Sequence, residues 1–94
     1  MNDLYRSKVV EIHAWQWLLD NGEEEPPMWI DEALSKWPDI GGILVEPEPY
    51  PRLYIATLED VETVTQGYWI IQGLEGELYP CKDSVFRAKY EPAT

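Results

Sequence analysis

Residues 65–81 read TQGYWIIQGLEGELYPC. Two explanations compete for three glycines in so short a span: a loop that cradles a ligand, or turns that join strands. Gly67, Gly73 and Gly76 do not make the G-x-G-x-x-G spacing of a dinucleotide loop, and no Gly-Lys-Ser or Gly-Lys-Thr follows them. They flank two apolar runs, YWII and ELYP, at points where the chain must reverse and a positive φ is wanted. The segment therefore reads as strand, turn, strand, with Trp69 and Ile71 on one face and Ile70 on the other.

Working outward, residues 52–59 (RLYIATLE) alternate, Leu53 and Ile55 against Tyr54 and Ala56, as a half-buried strand does. Glu59-Asp60 is a turn candidate and VETV a short strand after it. On the C-terminal side, residues 81–89 carry a short helix, with Asp83 or Ser84 as its cap and Val85 and Phe86 turned inward. Residues 28–37 are the main helix. Pro26 and Pro27 precede its first turn, Asp31 and Glu32 suit its N-terminal end, Lys36 its C-terminal end, and Pro38 stops it. Trp29, Ile30, Ala33, Leu34 and Trp37 form its apolar face. At the N-terminal end, residues 8–17 (KVVEIHAWQW) alternate Val10, Ile12 and Ala14 with Glu11 and His13, a strand pattern. Trp15 and Trp17 share the parity of His13, which requires either cover on both faces or a bulge. Gly41-Gly42 opens a short apolar run, and EPEPYP is a stiff connection. The expected fold is one α+β domain over residues 1–94: a small, curled, mostly antiparallel sheet of about five or six strands on one main helix, with a short second helix near the C-terminus.

The charge is lopsided. Eighteen acidic residues face seven basic ones, a formal net charge of −11. Most of the excess lies in residues 9–51, where Lys36 is the only base. A field of that sign repels phosphate backbones and anionic membranes and attracts basic proteins. Five Trp and six Tyr could stack bases, but single-strand binders interleave such rings with Lys and Arg, and here only Arg52 is near. No apolar run is long enough to span a membrane, and the opening residues MNDLYR lack the basic-then-apolar pattern of a secretory signal. One cysteine, Cys81, permits no internal disulfide, which points to a reducing compartment, the cytoplasm.

Little of the chain points to catalysis. His13 is the only histidine, and nothing lies at metal-ligand spacing from Cys81, so neither a metal nor a cofactor is expected. A Cys81–His13 nucleophile pair would need their strands side by side and a third orienting group. The pairs Glu46/Glu48 and Glu75/Glu77 could each meet on one side of a strand, but such pairs arise by chance among eighteen acids.

The two ends also carry a resemblance. YRSKVVEIHAWQW at residues 5–17 resembles the N-terminal signature of a family of small tailed-bacteriophage and prophage proteins, Tyr-Arg-x-Lys-Pro-Val-x-x-Glu-Ala-x-Gln-Trp. Residues 53–92 are similar to that family's later pattern: Thr-Leu-Glu-Gly, a Gly-Asp-Trp-Ile-Ile turn and strand, Gly-Glu-x-Tyr-Pro-Cys-Lys, and a final Tyr-Glu-Pro. Val9, His13 and Asp60 stand where the family has Pro, Glu and Gly, and Gln66 and Tyr68 replace the Pro and Asp around Gly67. Residues 18–51 are outside the resemblance. It implies a phage or prophage accessory protein acting in the cytoplasm of a bacterial host, and no particular reaction.

The expected role is a non-enzymatic inhibitor of a host defence complex, of the anti-CRISPR or anti-restriction kind, acting partly by nucleic-acid mimicry. Asp20, Glu23, Glu24, Glu25, Asp31, Glu32, Glu46 and Glu48 would form the acidic surface that enters the partner's basic nucleic-acid-binding groove. The alternatives are a phage assembly protein that self-associates through exposed aromatics, and a small-molecule-binding domain with a pocket near Tyr68 and Tyr79.

Overall fold

A computed structural model describes residues 11–18 and 25–91. Eight elements follow in order: β1 (His13–Gln16), α1 (Met28–Lys36), β2 (Ile43–Glu46), β3 (Arg52–Ala56), β4 (Val61–Val64), β5 (Trp69–Gln72), β6 (Leu78–Cys81) and α2 (Asp83–Lys89). The expected α+β composition and the six strands are present. The single curled sheet on one main helix is not: the strands form two antiparallel three-stranded sheets, ordered β1-β5-β6 and β2-β3-β4.

The division falls at residues 65–68. After β4 the chain turns, with the Tyr68 N–H donating to the Thr65 carbonyl at 2.9 Å, and Gly67 takes φ 95°. Gly67 N–H then donates to the Trp17 carbonyl at 2.7 Å, and Trp17 N–H to the Tyr68 carbonyl at 2.9 Å. These bonds extend the β1–β5 ladder, so β5 pairs with the distant β1 rather than with its predecessor β4. An alternating pattern specifies which residues share a face, and not which strand is the neighbour.

In the first sheet, Trp15, Ile70 and Pro80 are opposite one another on the inner face, with Leu78 further along; Gln16, Trp69 and Cys81 lie on the outer face, as do Ala14, Ile71 and Tyr79. Ile70 and Ile71 point opposite ways, yet both are fully buried. This sheet is therefore covered twice. Ile70, Leu78 and Trp17 join Ile43, Leu53, Ile55 and Val64 of the second sheet and Ile30 and Ala33 of α1 in one core. The outer face carries α2, whose Phe86 ring stacks on Trp69 at 3.9 Å between centroids and 10° between planes. Cover on both faces, not a bulge, accounts for the tryptophans in and just after β1: Trp17 is buried in the core and Trp15 packs against it.

Several local expectations need adjustment. β1 covers only part of the predicted strand, whose first three residues lie outside the described set. In α1 the buried face narrows to Ile30 and Ala33, with Trp29 packed at its border and Leu34 exposed. In α2 Phe86 is half-buried, but Val85 is 49% exposed, because one stacked ring leaves room for a single inward position per turn. Asp83 makes no capping bond; its carboxylate is taken by side chains of the sheet below. The β3–β4 turn is centred one residue earlier than expected, on Leu58-Glu59. Thr57 N–H donates to the Asp60 carbonyl at 2.8 Å, and the Asp60 N–H to the Thr57 hydroxyl at 3.1 Å.

Candidate interaction surface

Three connections distant in sequence meet where β6 runs beside β3 and β4. The first follows α1, and it is tied to the end of β3: Gly41 N–H donates to the Ala56 carbonyl at 2.8 Å, and Ala56 N–H to the Gly42 carbonyl at 2.9 Å. The second is the β3–β4 turn. The third is the β5–β6 turn, closed by Gly73 N–H to the Glu77 carbonyl at 2.8 Å, with Gly76 at φ 86°. Between them lies an open groove of about 610 Å³.

The groove floor is apolar. Ala56 and Leu78 lie at its base, and Ile40, Leu58 and Tyr79 stand around it with 56%, 83% and 38% of their surface exposed. Glu59 and Glu62 line one bank, Glu75 and Glu77 the other, and Lys36 is the sole base in the lining among the described residues. All four glutamates are exposed. The Glu77 carboxylate also accepts the Glu75 N–H at 3.0 Å, which holds it over Gly73 within its own turn.

The acids expected to act together are dispersed. Asp20, Glu23 and Glu24 lie outside the described residues. Glu25 precedes α1, Asp31 and Glu32 lie on it, and all three are exposed. Glu46 is half-buried at the end of β2, opposite Arg52, and Glu48 is exposed in the following loop. Glu46 is engaged within its sheet: its hydrogen bond to Tyr54, aided by desolvation, pushes that phenol above its usual value. Glu75 and Glu77 share one turn, and the contact there runs from the Glu75 N–H to the Glu77 carboxylate. Of the pocket expected near Tyr68 and Tyr79, the groove takes in Tyr79 and not Tyr68, and the rest of its lining comes from distant parts of the chain. One signal was present. The dipeptide Leu-Glu occupies both hairpin tips, Leu58-Glu59 and Leu74-Glu75, where purely polar residues would be ordinary.

The outer face of the β1-β5-β6 sheet holds a second polar cluster. Asp83 accepts from Trp69 Nε1 at 2.8 Å, from Arg87 Nε at 2.9 Å and from Gln16 Nε2 at 3.2 Å. Gln16 Nε2 also donates to the Gly67 carbonyl at 2.9 Å. The Trp69 bond, then that of Arg87, holds the Asp83 carboxyl below the usual carboxylate range, against opposing desolvation. Next to it Phe86 meets Tyr90 at 5.1 Å, and burial, followed by the nearby Tyr90 phenol, pushes Tyr79 upward. Every partner is internal, so the cluster fastens α2 to the sheet.

The register separates His13 from Cys81. His13 is opposite Gln72 and Leu78, whereas Cys81 is opposite Trp69 and Gln16, at the other end of the sheet, on the other face and two strands away. They cannot act as a nucleophile–base pair. Among the described residues no group of three or more His, Cys, Asp or Glu is placed to hold a metal ion, and no helix is long and apolar enough to cross a membrane. Compared with protein-family models, curated proteins and solved structures, the chain finds no match.

Proposed function

We propose that the protein is a non-catalytic interaction protein that presents carboxylates to a basic surface of another protein, and that it belongs to a phage or prophage and inhibits a nucleic-acid-handling defence complex in the bacterial cytoplasm. The observation that carries the first part is the state of its acids. The chain bears a formal charge of −11, and among the described residues the only ion pair is Arg87–Asp83. Glu25, Asp31, Glu32 and Glu48, and Glu59, Glu62, Glu75 and Glu77 around the groove, are exposed, and none of them pairs with a cation among the described residues. A concentration of solvated carboxylates attracts lysines and arginines over roughly 8–10 Å at physiological salt and steers encounter. The phage setting is drawn from the resemblance at residues 5–17 and 53–92, and the defence target from the small size and acidity of the chain in that setting.

The test is capture from a bacterial host followed by elution with increasing salt and, separately, with double-stranded DNA. A mimic of nucleic acid releases its partner to both, and neutralising Glu25, Asp31, Glu32 and Glu48 together weakens capture and flattens its salt dependence. Unchanged capture by that variant at every salt concentration would falsify the mimicry. Recovery of virion components instead would favour an assembly role.

A further inference from the structure

Building on that reading, we infer that the groove between the β3–β4 and β5–β6 turns is the docking site for a short cationic segment of a partner protein, one that sets an apolar side chain among lysines or arginines.

The apolar part comes first. Single exposed apolar residues on a surface are ordinary. Here Ile40 and Leu58 stand beside one concavity whose floor is Ala56 and Leu78, with Tyr79 at its margin. Leu58 is 83% exposed at a turn tip, where a polar residue would close the turn equally well. The turn does not need it, since Thr57 and Asp60 make the closing bonds. A volume of about 610 Å³ admits a few side chains and is too small for a folded surface.

Charge then selects the occupant. Glu59 and Glu62 face Glu75 and Glu77 across the groove, and Lys36 is the only base along it among the described residues. An apolar segment without charge would leave these carboxylates beside its backbone with nothing gained, and an acidic one would be repelled. A second copy of this chain brings a formal charge of −11 to the same place and is disfavoured for that reason. A cationic segment satisfies both banks while its apolar side chain covers the floor. The glutamates sit on hairpins whose backbones are already closed, so little ordering is required on this side.

The probe is a dansylated Lys-Leu-Lys-Lys-Leu-Lys peptide, with Lys-Gly-Lys-Lys-Gly-Lys as its apolar-deleted control, followed by fluorescence anisotropy at low salt. The inference expects the leucine peptide to bind more tightly than the glycine peptide. The double variant Glu62→Gln/Glu75→Gln should weaken it about 3- to 10-fold, as expected for losing two partly exposed charge contacts. Leu58→Ser should remove most of the preference for leucine. Asp31→Asn/Glu32→Gln, which deletes the same charge from α1, should change affinity less than about twofold, the groove contacts being untouched. Equal losses in the two double variants, or no preference for leucine, would overturn the groove as the site while leaving an acidic protein that binds cations diffusely. Failure of both peptides to bind at low salt would instead overturn the acidic-partner reading itself. All of these side chains are exposed, so thermal midpoints within about a degree of the parent confirm that each variant is folded.

Discussion

Replacing Ile70 with alanine should be among the most damaging single truncations in the chain's scaffold. Ile70 has no exposed surface and lies in the middle of β5, on the face that the β1-β5-β6 sheet turns towards the other sheet. Its side chain is surrounded by a core drawn from both sheets and α1, so the vacated space has walls on several sides and limited means of collapse. Truncations of this kind cost about 2–5 kcal/mol, the transfer of the lost methyl groups plus the cavity. Taking about 3 kcal/mol, and about 4–8 °C per kcal/mol for a domain of this length, the thermal midpoint should fall by roughly 12–24 °C. That is a large share of the ~5–15 kcal/mol that holds a typical domain together. Ile55→Ala, equally buried in the other sheet, should produce a similar loss, and Leu74→Ala, at 79% exposure, should stay within about 0.5 kcal/mol. Far-ultraviolet circular dichroism and tryptophan fluorescence should follow one common transition in every variant. Two separated transitions, or an Ile70→Ala protein within 1 kcal/mol of the parent (a bound set well below the ~2 kcal/mol floor for such truncations), would refute the claim that both sheets share one core.

Three further outcomes follow from particular contacts. Gly42→Ala places a Cβ at 2.6 Å from the Trp37 nitrogen and 2.7 Å from its Cα, both backbone, so the connection after α1 must shift; a loss of about 1–3 kcal/mol in chemical denaturation is expected, and a neutral result contradicts the close approach. Phe86→Ala removes the ring stacked on Trp69, which should lower the midpoint and speed amide exchange in α2 while leaving exchange in β3 unchanged. Asp83 supplies the pH dependence. Its folded value is depressed below the ordinary 3.8, so its contribution is complete above that value and is lost as pH falls through the lower folded one. Stability should therefore gain an added acid-limb decline below 3.8 that Asp83→Asn removes, with Trp69 fluorescence as the reporter; an identical acid limb in the two proteins would contradict it.

What the sequence disclosed, it disclosed through local constraints. Gly67 and Gly76 need positive φ, and that requirement is written in their identity, so the hairpin at residues 65–81 was legible. The prolines around α1 bounded it equally well, and the alternation in RLYIATLE put Leu53 and Ile55 on one face, which the structure turns into the core. Pairing was not legible. β5 chooses β1 through backbone bonds at Trp17, Gly67 and Tyr68, and backbone groups are the same in every residue. Position alone offers Asp83 or Ser84 as the cap of α2; Arg87 meets the Asp83 carboxylate within the helix, whereas Trp69 and Gln16 reach it only once α2 lies on the sheet. The acidity was visible as a count, and it drew attention to residues 20–48. The concavity formed elsewhere, because three turns that meet in space are far apart in the chain, and its acids come from the half with the milder excess.

A basic partner that binds in the groove must perturb the residues lining it first. An amide NMR titration with the Lys-Leu-Lys-Lys-Leu-Lys peptide tests that residue by residue. The predicted result is saturable shifts concentrated at residues 56–62 and 75–79, with Asp31, Glu32 and Glu48 left in place. Shifts spread evenly over all exposed glutamates and aspartates, or centred on α1, would contradict it.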